Sequence, residues 1–380
     1  MKDQTKQRKK KSARRMPGWL IAVISVVLTL AVVVGFLFLT LGSSGVSMIE
    51  GWVLARYAFV ETDADLDTAA DEALRGLVNG LGDRWSYYLT KEDYEYVKEQ
   101  RDNNYVGIGV SVNYTREEGL LVVEVDEDGP AKKAGVVPGD IIIAVDGQPI
   151  AGDARETATE LILGENGTKV TLTLLGEDGT QRDVVCTRKY IHKASAAGVM
   201  LEDNIGYVSF VNLYSGSADS LRRTVDRLCI EGAEGLIIDL RSNPGGYISE
   251  LREALDYLLP EGPVLVEEPR WGSKDVFESD ADCIDLPMVV LVDANTYSAA
   301  ELLAAQLRES IGAPIVGEVT SGKGYSQITY LLPNGGAIGL STSRYCAGSG
   351  VSLIGTGIVP DVETSDVDIQ LQTAIDLLKK

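Results

Sequence analysis

From Pro17 to Leu41 the chain reads PGWLIAVISVVLTLAVVVGFLFLTL, with no charged residue. A helix needs about 20 apolar residues to cross a bilayer, whereas the apolar core of an ordinary signal peptide runs about 7–15. Ahead of this run stand Lys2, Lys6, Arg8, Lys9, Lys10, Lys11, Arg14 and Arg15 against one acid, Asp3. Basic flanks stay on the cytoplasmic side. The run therefore predicts a cytoplasmic tail over 1–16 and one transmembrane helix over 17–41, with Trp19 at the interface. The expected address is the cell membrane, single-pass, with the rest of the chain extracytoplasmic. Cleavage after the small residues GSSG at 42–45 is the alternative.

The remainder is acidic. The chain carries a net charge of −21, and taking the tail's +7 from it leaves −28 for the body. An acidic body repels phosphate backbones, so nucleic acid is not an expected partner. With 380 residues there is room for two or three domains and a sizeable core. Cys186, Cys229, Cys283 and Cys346 are far apart and form no CxxC pair, so zinc is not indicated. Their spacing assigns no disulfide. The one histidine, His192 in RKYIHKAS, excludes an HExxH metal site, and any Ser-His-Asp triad would have to use it. No cofactor is expected.

Residues 42–104 read as a helical, solvent-facing segment: MIEGWVLARYAF and DTAADEALRGLVNGL space their apolar residues for helices, and Thr90 is placed to cap a helix beginning near Lys91. Alone this suggests a lever or dimerising arm. From about 105 the pattern alternates as strands, in YVGIGVSVNY and GLLVVEVDEDG. GPAKKAGVVPGDIIIAVDGQPI follows, with a Gly-Pro helix start, a buried strand and an Asp146-Gly147 hairpin signal. With ILGENGTKVTLTL, these pieces make 105–190 resemble a PDZ domain of the type found in bacterial proteases. Such a module takes an extended peptide as an added strand and holds its terminal carboxylate on the amides of a glycine-containing loop. By that resemblance the loop falls at Val106, Gly107, Ile108 and Gly109, with Ile108 and Val110 lining an apolar pocket. From 191 to 380 strands alternate with helices, which predicts an α/β domain.

In that last region DANTYSAAELLAAQLRES places Ser298 where the apolar run MVVLV turns into a helix. Serine at such a place is an ordinary N-cap. A nucleophile would need a base and oxyanion donors. Lys323, between Gly322 and Gly324, is a base if desolvation keeps it neutral. Gln327 is placed to orient it. The amide of Ala299 and one from Gly245 or Gly246 are candidate donors. Each piece alone is weak, since NPGG is usually a tight turn.

Taken in order and spacing, DLRSNPGG, TYSAAELLAAQLRE, GEVTSGKGYSQ and GTGIVPDVE resemble the C-terminal processing peptidase family, serine proteases with a Ser-Lys dyad often extended by Gln. LGDRWSYYLTKEDY and the final DIQLQTAIDLL also fit, so the resemblance covers roughly 48–380. It implies a ClpP/crotonase-like α/β protease domain beside the PDZ-like module, with Ser298 as nucleophile, Lys323 as general base and Gln327 orienting the lysine. Gly246 and Ala299 would supply the oxyanion amides. The implied partners are proteins or peptides with free apolar C-termini, and the N-terminal helices would support a homodimer. Tyr297, Ser321, Ser326 and Cys346 depart from the family's usual residues, which bears on pocket shape rather than chemistry. The rival readings are a catalytically silent PDZ-type peptide sensor and, through the crotonase likeness, a thioester-cleaving enzyme.

Overall fold

The computed structural model describes residues 16–61 and 63–379. The basic tail, apart from Met16, lies outside them. The apolar run forms helix α1 (Gly18–Ala58), none of whose side chains is buried. Its helical geometry breaks at Gly42 (φ 66°, ψ −176°), directly after the uncharged stretch. Among the described residues it is the one helix long and apolar enough to cross a membrane. The described residues up to Ala73 form one compact unit and those from Leu74 onward a second.

Helix α2 (Leu66–Asn79) is followed by a strand that the helical reading of 42–104 missed: β1 (Tyr87–Leu89). It pairs antiparallel with the long strand of the C-terminal region, Tyr88 opposite Ile338, and Tyr88 is only 5% exposed. Aromatic residues favour a pleated, half-buried surface, and the WSYYL stretch has that character. Residues 85–89 are thus part of the C-terminal body. Helix α3 (Lys91–Arg101) begins as predicted, with Thr90 Oγ1 accepting the Asp93 amide at 3.2 Å.

Next comes a small β-rich module. Its strands are β2 (Asn104–Gly107), β3 (Val110–Asn113), β4 (Leu120–Val125), β5 (Ile141–Val145), β6 (Gln148–Pro149), β7 (Lys169–Leu175), β8 (Gln181–Thr187) and β9 (Lys189–His192). Its helices are α4 (Pro130–Lys133) and α5 (Arg155–Ile162). The sheet order is β3-β4-β5-β7-β8 with β6 on β5, so β3 is an edge strand. Ile108, Leu120, Val122, Ile142, Leu172 and Leu174 form its core. β2 and β9 pair antiparallel as a separate ribbon where the chain enters and leaves the module. Asn103 pins the ribbon's base, its Nδ2 donating to the Lys193 carbonyl (3.0 Å) and Ser195 Oγ (2.8 Å).

The α/β region is built on a six-stranded sheet of β10 (Ala196–Met200), β11 (Ile205–Phe210), β12 (Gly235–Asp239), β15 (Met288–Val292), β16 (Ile315–Gly317) and β19 (Val362–Glu363), in that spatial order. All neighbours pair parallel except β10 with β11. Every residue of β12 and β15 is buried, as expected of parallel strands covered on both faces. Helices α6 (Ser217–Ile230), α7 (Ile248–Leu258) and α8 (Ala299–Ile311) contribute to one core with Leu236, Ile238, Val290 and Val292. The alternate residues Ile237, Val289 and Leu291 form the other with α9 (Val367–Leu378). A second sheet joins β1, β13 (Gly262–Pro269), β14 (Asp275–Ser279), β17 (Tyr325–Leu331) and β18 (Ala337–Cys346), with β18 at its centre.

Candidate active site

β12 and β15 are adjacent parallel strands, so the turns leaving their carboxyl ends meet. The meeting is stitched by polar side chains. Thr296 Oγ1 donates to the Leu240 carbonyl at 2.8 Å, and Ser242 donates from both N and Oγ to the Asp293 carboxylate, each at 2.9 Å. The Asn243 side chain, fully buried, donates to the Phe210 carbonyl at 2.7 Å, and its main-chain carbonyl accepts the Tyr297 amide at 3.2 Å.

Ser298 stands at the top of this junction as the N-cap of α8, with φ 63° and ψ −130°. That region is costly for a residue with a Cβ, about 1–3 kcal/mol, and it is held by the stitching around it. Gly245, also at positive φ (75°), packs so closely that a Cβ there would lie 2.8 Å from the Ala299 amide and 3.0 Å from Ser298 Cβ. The Gly245 amide is already taken by Asn243 Oδ1 at 2.8 Å. The amides of Gly246 and Ala299 have no acceptor among the described residues, and the latter is one of the free first-turn donors of a helix.

The second half of the site comes from the loop after β16. Gly322 and Gly324 let it press against residues 354–357, where any Cβ would lie within 2.9 Å of a neighbouring atom. Glu301, fully buried three residues into α8, reaches across to this loop. Its Oε1 accepts from Thr320 Oγ1 (2.5 Å) and the Gly322 amide (2.8 Å). Its Oε2 accepts from Ser321 Oγ (3.1 Å), the Lys323 amide (3.0 Å) and the Ser298 amide (2.9 Å).

Lys323 Nζ donates to Gln327 Oε1 at 3.1 Å, and Gln327 Nε2 donates to the Trp85 carbonyl. The ammonium lies 5.2 Å from the Trp85 ring centroid and 6.0 Å from that of Tyr297. Burial foremost, and then the Arg101 charge, lower the Lys323 pKa from 10.5 to about 8, against the opposing carboxylates of Asp83 and Glu301. Tyr345, on β18 and 1% exposed, places Oη 2.7 Å from the Lys323 carbonyl and 3.3 Å from Ser298 Oγ.

The fold thus brings together Ser298, Lys323, Gln327, Gly246 and Ala299. Three participants were not singled out from sequence: Glu301, Trp85 and Tyr345. Glu301 had a legible signal, because Ser-x-x-Glu at a helix start is a capping box. Trp85 and Tyr345 enter through sheet pairing, which no local pattern announces. His192 lies on the ribbon strand β9, beside Gly216. The four cysteines are free.

In the β-rich module, Val106 and Gly107 belong to the ribbon strand β2. Ile108 is 1% exposed and packs in the module's core. Its apolar side chain is drawn inward by the same pleat that leaves Gly109 to turn at φ 76° into the edge strand β3, which Val110 begins.

A strained serine at a strand-to-helix turn, a desolvated lysine tied to the same buried carboxylate and two free amides are the groups that a serine-type peptidase would use. Residues 204–364 match Peptidase family S41, and residues 121–175 match the PDZ domain. The carboxy-terminal processing protease CtpA of Bacillus subtilis is 33% identical over 301 residues, covering 79% of this chain and 64% of that protein. A carboxy-terminal-processing protease of Bartonella bacilliformis is 32% identical over 321 residues, covering 82% and 72%. Among solved structures the photosystem II D1 C-terminal processing protease has a similar fold, with a TM-score of 0.50 and 24% identity over 87% of this chain and 96% of that one. The chain belongs to the carboxy-terminal processing protease family of S41 serine peptidases, and it carries a PDZ domain.

Proposed function

We propose that this chain is a membrane-anchored endopeptidase that cleaves extracytoplasmic proteins by a Ser-Lys acyl-enzyme mechanism. The observation that carries the reading is that one buried carboxylate, Glu301, holds the amides of both Ser298 and Lys323. Residues 17–41 anchor the chain, with 1–16 in the cytoplasm. The PDZ-type module spans 105–190. The protease domain, of the ClpP/crotonase type, spans 191–380, with 42–104 ahead of the PDZ-type module.

A free apolar C-terminus would add as a strand to the open edge of β3, its carboxylate on the amides of the Val106–Gly109 loop. Neutral Lys323 takes the Ser298 proton as Oγ attacks the scissile carbonyl. The oxyanion forms against the Gly246 and Ala299 amides, where the start of α8 favours negative charge. Protonated Lys323, oriented by Gln327, then returns the proton to the leaving amine. Water, deprotonated by the same lysine, releases the acyl group.

The test is digestion of an unstructured protein ending in apolar residues by the full chain in detergent, with cuts located by mass spectrometry. Ser298→Ala and Lys323→Ala should each lose at least about 100-fold in rate. Cutting that survives Lys323→Ala would mean another base. Binding without cutting by the wild type would favour a peptide sensor. A homodimer through the N-terminal helices belongs to the same reading, and a monomeric mass by ultracentrifugation in detergent would remove it.

A further inference from the structure

Arg101, the last residue of α3, is half-buried, yet among the described residues its side chain has no hydrogen bond and no ion pair. Its main chain stands beside the turn that carries Gly246. The Arg101 carbonyl accepts the Ser215 amide at 3.1 Å. Two residues earlier, Leu213 pairs with Gly246 and its carbonyl accepts the Tyr247 amide at 2.8 Å. The Arg101 charge acts on both sides of the nucleophile. Burial raises the pKa of Tyr247, next to Gly246, and of Tyr297, next to Ser298, and Arg101 opposes both rises. The Tyr297 ring centroid lies 6.0 Å from Lys323 Nζ, on which Arg101 also acts. The phenols of Tyr247 and Tyr297 have no hydrogen-bond partner among the described residues.

We propose that Arg101, with the Tyr247 and Tyr297 phenols, forms a subsite for a substrate carboxylate beside the scissile bond, a proposal that rests on the Ser-Lys reading above. A guanidinium presents five donors in a fork that fits a carboxylate, and each phenol adds one. A half-buried cation without a counter-ion keeps its desolvation cost, which an incoming carboxylate offsets. The protein's own acids nearby do not fill that place. Glu301 accepts from the Ser298 and Lys323 loops. Asp83 accepts the Trp85 amide and the Ser86 hydroxyl. Asp102, next in the chain, forms no ion pair with Arg101 among the described residues. The expected specificity is therefore Asp or Glu close to the cut. A free C-terminus just past the cut presents the same group, and the two sources are separable by experiment.

The test uses the full chain in detergent and internally quenched peptides with acetylated and amidated ends. Glu, Gln or Lys is moved through the three positions on each side of the cut, and a parallel set ends in a free carboxylate at the same positions. At one position Glu should exceed Gln about tenfold in kcat/KM, the weight of a charge-assisted hydrogen bond. Arg101→Gln should abolish that ratio, and Arg101→Glu should turn it towards Lys. A ratio taken within one variant cancels any change in Lys323. Tyr247→Phe and Tyr297→Phe should each lower the Glu-to-Gln ratio severalfold. A preference seen only in the free-ended set assigns the carboxylate to the C-terminus. A wild type that cuts Glu and Gln peptides alike, with no gain from a free end, overturns the inference whatever the variants do. A preference that survives in folded Arg101→Gln overturns it too. Cutting that survives Ser298→Ala takes down the Ser-Lys reading itself, an outcome distinct from Ser298-dependent cutting without preference.

Discussion

Ser298 and Lys323 are tied through one oxygen atom: Glu301 Oε2 accepts the amide of the first at 2.9 Å and of the second at 3.0 Å. The loops carrying the proposed nucleophile and base thus share a buried anchor. Glutamine at 301 offers one acceptor and turns an NH2 towards donors. Glu301→Gln should destabilise the fold by about 3 kcal/mol and lower kcat by about 100-fold or more, as misplacement of a reacting pair does. Denaturant titration and peptide kinetics on the same preparation read both effects.

Activity should rise with pH through the acid limb of Lys323. Its pKa is held at about 8 by burial, so kcat/KM should climb with an apparent pKa near that value. The stability effect has a definite sign. The folded pKa is below the unfolded 10.5, so the unfolded chain binds more protons between about 8 and 10.5. This group's contribution therefore grows as pH rises across that window and is lost below it. Lys323→Met should abolish that slope in denaturation midpoints measured across the window.

Trp85 covers the lysine from a segment 242 positions away from Gln327 in sequence. Trp85→Ala should admit water to Lys323 and release the Gln327 amide. The acid limb of the pH-rate profile should then move up towards the ordinary lysine value. A limb that stays in place in Trp85→Ala would show that the ring does not set the base.

Gly246 has no room for a side chain, since a Cβ would lie 2.0 Å from the Leu213 carbonyl oxygen. Gly246→Ala must shift the main chain and with it the free amide. Loss of one oxyanion donor costs about 100-fold or more in kcat. The prediction is that loss with KM little changed, measured on a short chromogenic peptide.

Ser298 stores backbone strain at φ 63°, ψ −130°. Glycine adopts this region freely, alanine does not. Ser298→Gly should therefore be more stable than Ser298→Ala by about 1 kcal/mol, the strain less glycine's entropic cost. Equal denaturation midpoints would mean that the turn is not strained.

Much of the site was legible because its parts sit at local signals. Ser298 lies at a strand-to-helix boundary, Lys323 between two glycines and Gln327 four positions on, and local spacing is what a sequence displays. The α/β alternation, the cap at Thr90 and the Asp146-Gly147 hairpin are likewise short-range features. The helical pattern of 42–104 hid the strand at Tyr87–Leu89. Helical neighbours masked a strand whose pairing partner lies far along the chain.

The sequence by itself determined the apolar anchor-length helix, the order of modules and the chemical types at the site, because composition and short-range periodicity decide those. Tertiary structure alone decided which amide is free, that of Gly246 rather than Gly245. It also set how far the Lys323 pKa falls, and that the Ser298 hydroxyl faces Tyr345. These depend on desolvation and on hydrogen-bond partners that meet only when β1, β17 and β18 close over the ends of β12 and β15.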